Sequence, residues 1–266
     1  MMMKTRRRTQ STRSTRRILL IVVTAMLGCV QAVRADEITL VGPGGVKAAV
    51  EKMIPAFEKK TGHKVKATFG SGLGTKRQVA SGEPFDVPIV QPPFPEVLAS
   101  GHVIAASATP LATVAVGVAV RTGAPKPDIS TPEAVKRMLL GAKSISYPDP
   151  SGGAAAGVSF TETLKTLGIA EQMKPKIKLA PGGAAAMAAL ARGDVEIGLT
   201  FISEILTEPG VESVGPLPRQ ILAPTGLVGF VSTHAKSPAA ARALLAYLAS
   251  PEAAAVYTAV GMTPGK

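Results

Sequence analysis

Four times in this chain an apolar, strand-like stretch runs into a small-residue turn and then into a helix-like stretch. The turns are Gly42-Pro43-Gly44-Gly45, Gly70-Ser71-Gly72-Leu73-Gly74, Pro150-Ser151-Gly152-Gly153 and Pro181-Gly182-Gly183. A helix start carries unpaired backbone N–H groups and the positive end of the helix dipole, and glycine lets a ligand approach that backbone closely. One such turn is ordinarily structural. Its fourfold recurrence makes each a candidate anion cradle.

The rest of the chain keeps the same rhythm. Short, apolar and often β-branched runs at 38–41, 64–69, 87–91, 113–120, 144–147, 176–179, 196–200 and 227–232 read as strands. Between them, Val46, Val50, Met53, Ile54 and Phe57 recur at helical spacing, as do Ala239, Leu244, Leu245 and Leu248. Pro55 falls inside the first of these helices, where a kink is expected. Ser237-Pro238 and Ser250-Pro251-Glu252 each open an amphipathic stretch, serine as the cap and proline in the first turn. Residues 122–128, with two prolines and a glycine, predict a surface excursion. Strands alternating with helices imply an α/β protein with largely parallel sheets.

Residues 1–35 hold eight basic residues and no acid, and the apolar run Ile18 to Val30 leads to Val33-Arg34-Ala35. This is the pattern of a secretory signal peptide, its apolar run shorter than the roughly 20 residues of a membrane span. Met26-Leu27-Gly28-Cys29 resembles a lipoprotein cleavage box, so lipid anchoring at Cys29 is the lesser expectation. Without the leader, 22 basic residues face 18 acids, and the net charge is +4 in place of +12. That is ordinary for a soluble protein and gives no case for nucleic acid, while still suiting an anionic ligand. Cys29, the one cysteine, leaves with the leader, and three histidines make a poor zinc set, so neither metal nor cofactor is expected.

The order of motifs resembles that of the periplasmic substrate-binding proteins of ABC importers, in the branch of the molybdate-binding protein. The resemblance rests on Ile38-Thr39-Leu40, Phe57-Glu58-Lys59-Lys60-Thr61-Gly62 and Val65 to Phe69, followed by Gly70-Ser71 to Val79 and Ser81-Gly82-Glu83-Pro84-Phe85-Asp86-Val87. Ala155-Ala156-Gly157, Arg192 to Leu199 and the closing run from Leu244 through Ser250-Pro251-Glu252 to Thr263 complete it. It implies a type II periplasmic binding fold, two Rossmann-like α/β lobes joined by hinge strands with the ligand cleft between them. By resemblance lobe 1 takes residues 36–118 plus 223–266 and lobe 2 takes residues 119–222. The expected protein is a periplasmic monomer and not an enzyme. It captures a small anion, molybdate or tungstate first, and delivers it to a membrane permease.

Relatives in that branch hold their dianion with backbone N–H groups, serine hydroxyls and a tyrosine hydroxyl. Here the two serine positions fall on Gly45 and Gly72, with Ser71 beside the second, and the tyrosine falls on Phe201. The remaining contacts fall on Ala156 and Gly183, and Gly44 and Thr75 complete the expected ligand set. Ser151, Thr200, Lys76 and Arg77 are the replacement donors, the last two suiting a carboxylate if one turns inward. An organic acid is therefore the main rival to an oxyanion, and a sensory binding protein is a further alternative. A sugar site lacks material, since the chain has no tryptophan. The rival from another class is a secreted serine hydrolase built on Ser71 or Ser151, but neither lies in a Gly-x-Ser-x-Gly elbow.

Overall fold

The structure, a computed structural model, describes residues 35–265. Residues 1–34 of the expected leader, Cys29 among them, lie outside the described residues. Two sheets organise the rest. The first has the order β11-β4-β10-β3-β1-β2, with β1 Glu37–Pro43, β2 Lys64–Gly70, β3 Val87–Val90, β4 Thr109–Val114, β10 Thr225–Gly229 and β11 Thr263–Pro264. The second has the order β7-β6-β8-β5-β9, with β5 Val116–Arg121, β6 Ile145–Pro148, β7 Ile177–Ala180, β8 Ile197–Phe201 and β9 Val211–Pro216. The β1–β2, β1–β3, β6–β7 and β6–β8 ladders are parallel, whereas β10 and β5 run antiparallel to both of their neighbours.

The sequence stretch 113–120 reads as one strand, yet it is two. β4 ends at Val114 in the first sheet and β5 begins at Val116 in the second, so the chain changes sheets at Ala115. It returns through residues 217–224. β9 was not predicted, because Val-Glu-Ser-Val-Gly-Pro has little apolar alternation and ends in a glycine and a proline.

Helices cover the sheets. They are α1 Gly44–Thr61, α2 Gly72–Ala80, α3 Pro95–Ala99, α4 Pro132–Gly141, α5 Ala155–Thr166, α6 Ala170–Met173, α7 Gly183–Arg192, α8 Ile202–Ile205, α9 Pro238–Leu248 and α10 Pro251–Ala259. α1 buries Val46, Val50, Met53 and Phe57, the predicted stripe, and runs unbroken through Pro55, which is exposed. It stops at Gly62 in the left-handed region (φ 78°), as glycine permits. The Ser250 hydroxyl caps α10 by accepting from the Ala253 N–H, as expected. Ser237 precedes α9 but does not cap it, and donates instead to Asp36 Oδ2 at 2.9 Å. Asp86 is buried and accepts from the Thr39 N–H and hydroxyl and from the Lys236 N–H, all at 2.7 Å. It thereby ties β1 and the start of β3 to the loop before α9. No helix among the described residues is long and apolar enough to cross a membrane.

Candidate functional site

Three of the four small-residue turns, and the helix start that follows the other one, converge on one cavity of about 710 Å³, whose wall takes residues from strand ends and helix starts of both sheets. Gly44 and Gly45 open α1, Ser71 and Gly72 open α2, Ala154 to Ala156 open α5, and Gly182 and Gly183 open α7. Three of these four starts have no side-chain cap. The residues before them are Pro43, Ala154 and Gly182, which leave the first-turn N–H groups free of any side-chain partner. At the fourth, the Ser71 hydroxyl accepts from the Gly74 N–H at 3.1 Å, and its own proton is left for another acceptor. The third turn contributes through α5. Its Pro150–Gly152 segment forms a separate 3-10 turn outside the wall.

Seven of the eight expected ligand residues, Gly44, Gly45, Ser71, Gly72, Ala156, Gly183 and Phe201, line this cavity. Thr75 does not. It is fully buried behind the start of α2, with its hydroxyl unpartnered. Lys76 turns away to donate to the Pro93 carbonyl at 2.8 Å and to pair with Glu96 at 3.7 Å, and Arg77 is exposed on the outer face. The cations at the cavity wall are Lys47 and Lys52 of α1, both exposed. Ser151 is exposed and outside the wall. None of the three histidines reaches the cavity: His63 accepts from the Asp36 N–H, and His102 and His234 hydrogen-bond to each other at 2.8 Å.

The two glycines at which the family resemblance led to an expectation of serine are each dictated by a neighbour. A Cβ on Gly45 would stand 2.8 Å from the Phe201 ring. One on Gly72 would run into Gln91 Oε1. Sequence reasoning missed Gln91, which is 3% exposed at the end of β3, lines the cavity and has no hydrogen-bond partner for either polar atom. An unpartnered buried carboxamide is costly unless something answers it, and a ligand in the cavity can do so.

Glu204 on α8 was missed as well. Its carboxyl lies between two helix starts: a Cβ on Gly44 would be 3.2 Å from Oε1, and one on Gly183 would strike Oε2. The Thr200 hydroxyl donates to Oε2 at 2.5 Å. Burial pushes the Glu204 pKa above the ordinary carboxylate value, against the opposing Thr200 hydroxyl and Phe201 N–H. Next to it, Ser203 donates to the Gly45 carbonyl at 2.8 Å, linking α8 to α1. No cluster of three or more metal-ligating side chains occurs among the described residues.

A model of bacterial extracellular solute-binding proteins matches residues 38–263, nearly all of the described chain. The chain belongs to that family. Among curated proteins it is similar to an aconitate isomerase from a Pseudomonas species, 33% identical over 234 residues, 85% of this chain and 87% of that one. It is also similar to the molybdate-binding protein ModA of Azotobacter vinelandii, 29% identical over 249 residues, 92% of this chain and 96% of that one. Among solved structures, an Azotobacter vinelandii periplasmic molybdate-binding protein superposes with a TM-score of 0.72 at 21% identity, over 86% of this chain and 100% of the other. The fold is that of a type II periplasmic binding protein, as the resemblance implied.

Proposed function

We propose that the protein captures a small organic acid with more than one carboxylate in the periplasm and presents it to an ABC permease. Each sheet with its helices serves as one lobe, and the cavity between them closes on the ligand. The observation that carries this reading is that the Phe201 ring and the Gln91 carboxamide fill the space a side chain at Gly45 or Gly72 would take. The Phe201 ring, Phe69, Ala155 and Ala156 offer apolar surface to a carbon skeleton, which a bare tetrahedral oxyanion does not have. Gln91 presents a donor and an acceptor together, and the uncapped starts of α1, α5 and α7 supply N–H groups for carboxylates. A volume of about 710 Å³ also falls within the range of small-molecule pockets, about 300–1,000 Å³. Molybdate and tungstate, the first expectation from the family branch, are the alternative ligands.

A thermal-shift screen of the mature chain against molybdate, tungstate, sulfate, citrate, tricarballylate and both aconitate isomers tests this. Ligand at one hundred times its dissociation constant stabilises by about 2.7 kcal/mol. Stabilisation by the polycarboxylates is expected. A response to molybdate and tungstate alone would return the assignment to an oxyanion.

A second reading has its own observation. The half-buried Glu204 carboxyl at the cavity wall, its pKa raised by desolvation, is an acid–base group of the kind active sites hold, and the Pseudomonas relative is an isomerase of an unsaturated tricarboxylate. On this reading the closed cavity isomerises its acid. Incubation of purified protein with trans-aconitate, followed by proton NMR, tests it, and an unchanged substrate leaves the binding role alone.

A further inference from the structure

We propose, resting on the isomerase reading, that Glu204 is the single proton carrier of an allylic shift in the bound acid, with Thr200 as its positioning residue. The ionisable side chains of the cavity wall are Lys47, Glu51, Lys52 and Glu204. The first three project from α1 into solvent, Lys47 and Glu51 pairing with each other at 3.9 Å. Glu204 alone is set inside, with Oε2 held by the Thr200 hydroxyl and Oε1 beside Gly44. Oε1 has no side-chain hydrogen-bond partner, which makes it the oxygen to exchange a proton with a ligand.

The surroundings of that oxygen match the charge the reaction develops. The Glu204 carboxylate takes a proton from a methylene carbon that bears one carboxylate. The C–H electron pair forms a new double bond to the central carbon, and the former double-bond pair moves out along the skeleton onto the oxygens of a second carboxylate. The Glu204 carboxyl then returns its proton to the far carbon, and the pair flows back to leave the double bond shifted. Atoms and electrons balance with no other reactant. The intermediate gathers negative charge on a ligand carboxylate, and the uncapped starts of α1 and α7, which flank Glu204, present N–H groups where such a carboxylate docks. Burial raises the Glu204 pKa, which moves its basicity toward that of a useful proton acceptor. Gly183 is required by this packing, because any side chain there would collide with both Glu204 and Thr200.

Glu204→Gln keeps the shape and the acceptor for Thr200 while removing the titrating oxygen. With the full mature chain, wild type should interconvert cis- and trans-aconitate, and Glu204→Gln should slow this by at least about 100-fold. Its affinity for tricarballylate, which has no double bond to shift, should be retained or tightened by calorimetry. Glu204→Asp, which sets the carboxylate back by one methylene, should keep a measurable fraction of the rate. In deuterium oxide, a single carrier delivers part of the substrate's own proton to the product, so the isomer formed early should carry less than one solvent deuterium per turnover. Conversion by Glu204→Gln within tenfold of wild type overturns the assignment of Glu204 while leaving the isomerase reading standing. Tricarballylate binding without conversion or C–H exchange in wild type overturns both.

Discussion

Gly45 and Phe201 share one volume. A serine at 45 would press its Cβ into a ring that is 3% exposed, so Gly45→Ser should cost about 1–3 kcal/mol in chemical denaturation. At Gly72 the obstacle is the end of the Gln91 side chain, which can rotate. Gly72→Ser should therefore cost less stability than Gly45→Ser, yet weaken polycarboxylate binding by displacing Gln91. Equal losses of stability in the two variants would refute the distinction. Glu204 gives a pH signature of its own. Its raised folded pKa means that the folded chain holds this proton more tightly than the unfolded one. Stability is lost as pH climbs from the ordinary carboxylate value, about 4.3, through the raised folded value, and the loss is complete above it. Glu204→Gln does not titrate, so its melting temperature relative to wild type should rise through that window and then level off. A difference that stays flat with pH would mean that the carboxyl is not desolvated. The glycine-rich turns were legible because composition alone marks them. Gln91 and Glu204 were not, since a polar residue just past a strand reads as core edge or loop until the direction of its side chain is known.

The capped starts of α4 and α10 contrast with most of the starts at the cavity, although α9, away from it, is uncapped as well. α4 and α10 lie away from the cavity and are capped by the Thr131 and Ser250 hydroxyls, at 3.1 and 3.2 Å. At the cavity only α2 has such a cap, and its hydroxyl also faces the pocket. Removing a serine cap costs about 1 kcal/mol. Ser71→Ala and Ser250→Ala should therefore lose similar stability, while only Ser71→Ala loses affinity for the ligand found in the screen. Calorimetry that returns the same dissociation constant for both variants would confine Ser71 to capping. Alternation of strands with helices was readable along most of the chain, because hydrophobic period and turn residues agree there. The split at Ala115 was not, since Val114 and Val116 are equally apolar and β-branched, and only tertiary pairing assigns them to different sheets.

The two sheets meet again across the cavity. Leu73 N–H donates to the Gly153 carbonyl at 3.1 Å on one side, and Ser203 donates to the Gly45 carbonyl at 2.8 Å on the other. Gly153 has a φ of 75°, and any Cβ there would strike the Leu73 side chain. On the two-lobe reading, the Leu73–Gly153 contact belongs to the closed form. A ligand shifts the balance between open and closed forms only by its differential affinity for them, so a defect in closure must appear as lost affinity. Gly153→Ala carries a backbone penalty in either form, because φ is positive, and adds the Leu73 collision only when the lobes approach. The ligand-free melting temperature should fall modestly, and the dissociation constant should rise by about tenfold, equivalent to about 1.4 kcal/mol. Small-angle scattering should show the wild-type chain contracting with ligand and the variant contracting less at equal saturation. If affinity and contraction both stay at wild-type values, this rim contact is present in the open form too, and closure must hinge on the Ser203–Gly45 side instead.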